Sequence, residues 1–181
     1  LSATSLNQPS GLAFDSSGNL WIIDSNNHRV LKFPEDNLVT GGAATVALGQ
    51  SDFTSNSRGT TATTMFNATG ITFDSSGNLW LADMGNSRVL KYPAANLATG
   101  GAATVVLGQT DLTSASRGVT ATTMKNSTSV VFDSDGNLWV GDSSTPVPNA
   151  NNRILKYPAA NLATGGAATV VLGQSSLTNL D

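Results

Sequence analysis

The chain has no cysteine and a single histidine, His28, among its 181 residues. The first absence excludes disulfides, zinc–thiolate sites and a cysteine nucleophile. The second leaves no multi-histidine zinc site, and a Ser/His/Asp arrangement would have to run through His28. Charge is scarce: 12% of residues are charged, about half the usual share of roughly 25%. The nine Lys and Arg residues are spread singly and the net charge is −3, so there is no basic face of the kind nucleic acid requires. No apolar run approaches the roughly 18 residues of a membrane span. The glycines sit in turns and not in a strand-to-helix phosphate loop. No cofactor is expected.

What remains is 39% hydrophobic residues, enough for a core, and a polar complement drawn from Ser, Thr, Asn and Gly. That mixture suits a β-rich, loop-rich protein, and its low charge points to an extracellular or cell-surface location. The chain opens at Leu1 with neither a Met nor a charged-then-apolar leader. The expectation is either that a leader was removed or that this is a piece of a longer chain.

Internal repetition settles the architecture. The segment Phe14–Trp21 (FDSSGNLW) returns as Phe73–Trp80 and as Phe132–Trp139, at intervals 73 − 14 = 59 and 132 − 73 = 59. Leu48-Gly49-Gln50 returns at Leu107 and at Leu172, the latter displaced by six extra residues around 145–150. Lys91–Gln109 is repeated unchanged as Lys156–Gln174. Each copy offers four short strands, in copy one Gly11–Asp15, Leu20–Asp24, Arg29–Phe33 and Ala44–Leu48. Ser16–Asn19 and Ser25–His28 carry turn chemistry. Leu20–Ile23 is apolar throughout, so both of its faces are expected to be buried between neighbouring sheets. Pro34–Gly41 has Pro at its start and Gly past its end, which predicts one to two helical turns. The reading is all-β: a β-propeller with three four-stranded blades, at 1–50, 51–109 and 110–174 (the last with its insertion near 145–150), and a tail at 175–181 in an inter-blade loop.

Pro9-Ser10-Gly11, Asp15–Asn19, Asp24 and Asn27-His28-Arg29-Val30 together resemble the NHL-repeat family. Copy two matches at Gly70, Asp74–Asn78, Asp83 and Asn86-Ser87-Arg88-Val89, with Ala68 and Thr69 where the family has its Pro. Copy three matches at Asp133–Asn137, Asp142 and Asn152-Arg153-Ile154, with Ser129 in place of the family's Gly. The resemblance implies a propeller of four-stranded blades, commonly six. It implies no single function, because the family includes RNA-binding domains, lyases and extracellular interaction modules.

The pairs Asp24–Arg29, Asp83–Arg88 and Asp142–Arg153 flank the second turn of each copy and read as structural ion pairs. Asp133-Ser134-Asp135 mimics the start of a calcium loop but lacks the downstream Glu, so it reads as a hairpin turn. His28 reads as an exposed turn residue. Asp52 and Asp111 recur but give way to Ser176 in copy three, which argues against acid–base chemistry. Asn67 and Asn126 open sequons and are possible glycosylation sites. Trp21, Trp80 and Trp139 read as inter-blade core.

In an up-and-down blade, the first and third turns emerge on one face, and the second turn and the inter-blade loop on the other. Loops 50–66 and 109–125, the sequons and the insertion all belong to the second face, and variation confined to one face of a repeat array marks a binding surface. The expectation is a non-enzymatic binding or surface-assembly module with an unidentified protein or glycan ligand. The alternative is a hydrolase or lyase with a metal in the central channel, held by Asp side chains near the first strands. Three blades leave two apolar sheet faces open. The expected partner is therefore a second copy, giving a homodimeric six-bladed ring with on the order of 2,000 Å² or more buried, or else the remaining repeats of a longer chain.

Overall fold

The run Leu20–Asp24 and its counterparts, apolar residues bounded by turn chemistry, each become the second strand of a four-stranded antiparallel sheet. The structure is a computed structural model that describes residues 1–143 and 151–178. The first sheet contains β1 (Pro9–Phe14), β2 (Leu20–Asp24), β3 (Arg29–Phe33) and β4 (Val46–Leu48). The second contains β5 (Ala68–Phe73), β6 (Leu79–Asp83), β7 (Arg88–Tyr92) and β8 (Val105–Leu107). The third contains β9 (Ser127–Phe132), β10 (Leu138–Asp142), β11 (Arg153–Tyr157) and β12 (Val170–Leu172). Strand order follows the sequence in every sheet. The three sheets are three propeller blades, as the repeat implies.

Two expectations need correction. The connection after β3, expected as one to two turns of a short helix, is a single 3₁₀ turn, Glu35–Asn37, repeated as Ala94–Asn96 and Ala159–Asn161. The cause is the Asn in third place: its side-chain amide donates to the carbonyl of Ala43 at 3.0 Å, folding the loop back before a second turn can form. The Pro and Gly punctuation is the same for both kinds of turn. The second correction concerns β2. All of β6 is buried, but Leu20 and Ile22 in β2 are half-buried, because they face away from the second blade.

The blades pack face to face. Trp21, Ile23, Val30 and Leu48 of the first meet Ile71, Leu81, Leu90 and Tyr92 of the second. Trp80, Val89 and Leu107 of the second meet Val130, Val140, Leu155 and Tyr157 of the third. Trp21 and Trp80 are fully buried there, whereas Trp139 lies on the open face of the third blade and is half-buried. The first strands approach so closely that a Cβ on Gly11 would lie 2.7 Å from the Thr69 carbonyl oxygen, and one on Gly70 would lie 2.7 Å from Ser129 Cα. That is why the repeat keeps Gly in its first two copies. Ser129 occupies this place in copy three, and its hydroxyl takes the space of a missing side chain: a Cβ on Gly141 would lie 2.5 Å from Ser129 Oγ. Gly11 opposite Ile23 and Ser129 opposite Gly141 are two solutions of the same volume problem.

The hydroxyls of Tyr92 and Tyr157 are buried without a hydrogen-bond partner. Phe33 holds the same place in blade one. A buried polar group without a partner is destabilising. Tyr92→Phe is therefore expected to raise stability by about 1 kcal/mol, read as a higher denaturation midpoint with unchanged slope. A loss of similar size would show that the hydroxyl has a partner.

Candidate binding face and the buried hubs beneath it

The second turn of the first two blades is a 3₁₀ turn closed by a left-handed residue: Ser25–Asn27 with His28 at φ 52°, and Met84–Asn86 with Ser87 at φ 56°. This geometry aims the first residue of the next strand, an Arg, into the blade. Arg29 Nε donates to Asp24 Oδ2 at 2.7 Å, Arg88 to Asp83 at 2.7 Å and Arg153 to Asp142 at 2.9 Å, and all six side chains are fully buried. The same aspartates accept from Asn27 (2.8 Å), Asn86 (2.8 Å) and Asn151 (2.6 Å), and from the backbone amides of Asn7, Phe66 and Lys125.

The guanidinium does more than tie two strands. Arg88 donates to the carbonyls of Thr61 and Thr64 at 3.0 and 3.1 Å and also to that of Leu112. One Arg thus pins the loop entering its blade and the loop leaving it. Arg29 does so through Ser2, Ser5 and Phe53, and Arg153 through Thr120, Thr123 and Leu177. The second turns and the inter-blade loops therefore share one face of the arc. Asn151, not recognised as part of the repeat from its sequence, fills the place of Asn27 and Asn86, so the extra residues enter wholly before it. The insertion near 145–150 itself lies outside the described residues.

Equivalent clefts open on this face at both junctions. One, of about 270 Å³, is lined by Gly49, Gln50, Ser55, Thr63 and Gly100. The other, of about 200 Å³, is lined by the counterparts Gly108, Gln109, Ser114, Thr122 and Gly165. Nearer the first strands, Gln8, Ser10, Asn26, Asn67, Thr69 and Met84 border a third hollow of about 300 Å³. No charged residue lines any of the three. Hydroxyls, carboxamides and backbone dominate these three linings, while the exposed Asp52, Arg58, Asp111 and Arg117 stand elsewhere on the same loops, Arg58 beside a further hollow with Phe66 and Asn86.

The remaining candidates take structural places. Asp52 and Asp111 cap their own loops: Asp111 accepts from the Thr113 hydroxyl and amide at 2.7 and 2.8 Å, bonds that lower its carboxyl to about 2. Asp52, bonded in the same way by Thr54 and Ser55, is lower still. His28 is half-buried rather than exposed, with its ring edge-on to Phe66 at 5.3 Å. Asn126 is 9% exposed and Asn67 half-buried, so a glycan at either would need its loop to open.

On the opposite face Asp15, Asp74 and Asp133 organise the first turns. Asp74 accepts from the Asn78 amide and side chain and from the Trp80 indole Nε1 at 3.0 Å, and Asp133 does the same with Asn137 and Trp139. Asp133 is thus a hairpin-turn residue whose oxygens are engaged by the turn and the indole. Among the described residues no group of three or more His, Cys, Asp or Glu side chains could hold a metal ion.

Partial burial works to raise Asp15 and Asp74, but the indole and Asn bonds outweigh it and hold both below the usual carboxylate range. For Asp133 the Trp139 and Asn137 bonds lead, again downward. A lowered folded-state pKa adds stability above the unfolded value of about 3.9, and that stability is lost as pH falls through the folded value. Asp83, pushed up by burial against the pull of Arg88, works in the opposite sense. With five lowered carboxylates against one raised, the thermal midpoint should be level from pH 7 to about 5 and fall between about pH 4 and 2. A midpoint that rises on acidification would contradict this assignment.

A family model described as the NHL repeat matches residues 6–33, and one described as the two component regulator propeller matches residues 124–144. No curated protein matches the chain. Among solved structures it is similar to a gluconolactonase from Xanthomonas campestris (TM-score 0.60, 17% identity), over 92% of this chain and 48% of that one. It is also similar to the hydrazine synthase of Kuenenia stuttgartiensis (TM-score 0.60, 11% identity), over 95% and 37%. A streptogramin B lyase (TM-score 0.53, 16% identity) is similar over 87% and 38%. The chain spans less than half the length of each, and at these identities the likeness shows the fold alone. The NHL-repeat match covers one copy of the repeat, and it and the fold likeness agree on a propeller of four-stranded blades.

Proposed function

We propose that this chain, three blades of an NHL-repeat propeller, is a non-enzymatic binding and assembly module. It works at the cell surface or outside the cell, takes an uncharged polar surface (protein or glycan) on its loop face, and self-associates through its open blade faces. The observation that carries the reading is the duplicated cleft: the same hydroxyl- and carboxamide-lined hollow stands at both junctions, on loops pinned from below by buried Arg residues. Pinned loops bind at a low ordering cost, and a lining without charge selects neutral groups.

The competing reading, a channel metal in a hydrolase or lyase, rests on fold likeness. It would have to recruit the carboxylates next to the first strands, and those of Asp15, Asp74 and Asp133 are already bonded to an indole, a carboxamide and backbone amides. The test combines elemental analysis of purified protein, a lactonase and peptide-lyase screen, and hydrogen-exchange mapping of a captured ligand. Metal-free, inert protein with protection over residues 50–66 and 109–125 is expected. Metal-dependent turnover, or a footprint confined to the turns around Ser16 and Ser75, would overturn the proposal.

A further inference from the structure

Both junctions within the chain are built from the same two contacts. In the first, a Trp on one blade meets a Phe on the next edge-on: Trp21 with Phe73 at 5.9 Å and 66°, and Trp80 with Phe132 at 5.8 Å and 75°. In the second, the Thr-Gly pair after the 3₁₀ turn of one blade caps the outermost strand of the blade before it. The Ala47 amide donates to Thr99 Oγ1 at 3.1 Å and the Gly100 amide to the Ala47 carbonyl at 3.2 Å. Val106 repeats this with Thr164 and Gly165 at 3.3 and 3.2 Å.

The two open faces carry the unmatched halves of these contacts. Blade three presents Trp139 and, at its outer edge on β12, the backbone of Val171, the counterpart of Ala47 and Val106. Around them Val131 is 57% and Leu172 51% exposed. Blade one presents Phe14, the counterpart of Phe73 and Phe132, at 60% exposure, Leu12 at 62%, and Thr40-Gly41, the counterpart of the capping pairs. On the blade-three face Ser129 is bulkier than its counterparts Gly11 and Gly70, Ile154 than Val30 and Val89, and Val131 than Ala13. Ser129 and Ile154 flank Gly141, which stands where the other blades have Ile23 and Ala82, so the seam differs from the two junctions at this point.

We infer that the occupant of each open face is the opposite open face of a second copy of this chain. Trp139 of one copy meets Phe14 of the other, and Thr40-Gly41 caps the other copy's β12. Head-to-tail contact made twice closes on itself about a two-fold axis and leaves no face open. The closure also completes the loop face. Gly173 and Gln174 lie where Gly49 and Gln50 line the first cleft, and the opposite wall (Thr63, Thr64 and Gly100) has its counterparts in Thr4, Ser5 and Gly41 of blade one. A further cleft thus arises at each seam, with these two walls drawn from different copies. The inference rests on the self-association part of the function proposed above and is independent of which ligand the loop face takes.

Sedimentation velocity at micromolar concentration tests it with two surface variants, Phe14→Glu and Val131→Glu. Both sites are mostly exposed within the chain, so each variant should keep the wild-type circular dichroism. The wild type should sediment as a dimer. Each variant alone should be monomeric, with dimer dissociation constants raised at least about a hundredfold by a buried, unpaired carboxylate. Mixing the two variants should restore a dimer, because one of the two seams in the mixed pair is wild type on both sides. A wild-type monomer would overturn the self-association reading itself. A dimeric wild type that survives either substitution, or variants that stay monomeric when mixed, would overturn the head-to-tail assignment while leaving self-association standing.

Discussion

Arg88→Ala is expected to cost about 3–5 kcal/mol of folding stability, since removing one partner of a buried pair leaves the other charge stranded. The Asp83 carboxylate would keep its bonds from Asn86 and the Phe66 amide but lose the guanidinium at 2.7 Å in a site with no access to water. The carbonyls of Thr61, Thr64 and Leu112 would lose their donor at the same time. Total stabilities of single domains run to about 5–15 kcal/mol, so the loss is a large fraction of the whole. Denaturant titration should show the loss, and hydrogen exchange should accelerate at residues 61–64 and around 112 beyond what global destabilisation explains. Arg88→Lys keeps the charge but not the planar fork, and should fall between wild type and alanine. A cost below about 1 kcal/mol, the size seen for exposed pairs, would contradict the hub.

Trp80→Ala should be nearly as severe, at about 3–5 kcal/mol. The side chain is fully buried between blades two and three. It touches Phe132 edge-on, carries Lys91 over its ring at 5.4 Å and donates to Asp74. Trp139 has the Lys156 and Asp133 contacts but no Phe against it in the chain. Trp139→Ala should therefore cost clearly less in dilute protein, and its cost should climb towards that of Trp80→Ala as concentration rises and a second copy covers the face. A Trp139→Ala cost that stays low and does not change with concentration would mean that no second copy covers the open face.

The repeat made the fold legible because its signals are local. Asp15–Asn19 fixes a turn through one side chain, Leu20–Ile23 has the composition of a buried strand, and the 59-residue interval places three copies of each. Asp24 and Arg29 could be paired from sequence because they recur beside a turn. What could not be read was where the guanidinium's other nitrogens go, since Ser2, Ser5 and Phe53 are distant in the chain and held through their carbonyls, which carry no residue code. Asn151 keeps the Asn-x-Arg spacing of Asn27 and Asn86, but a second Asn, Asn152, stands next to the Arg, and only the bond to Asp142 shows which of the two belongs to the hub. The exchange of Gly11–Ile23 for Ser129–Gly141 was hidden for a different reason: it compensates between strands, and only their register shows it. The clefts, too, are made by residues some fifteen to fifty positions apart whose proximity depends on blade-to-blade packing.

The account stands on blades that need both faces covered, and the wild-type mass in solution tests that most directly. Two chains of 18.5 kDa give 2 × 18.5 = 37.0 kDa. Light scattering across a micromolar dilution series should return that mass, independent of concentration until dissociation sets in and with no larger species, because the ring is closed. A soluble particle of 18.5 kDa, stable at micromolar concentration, would contradict it.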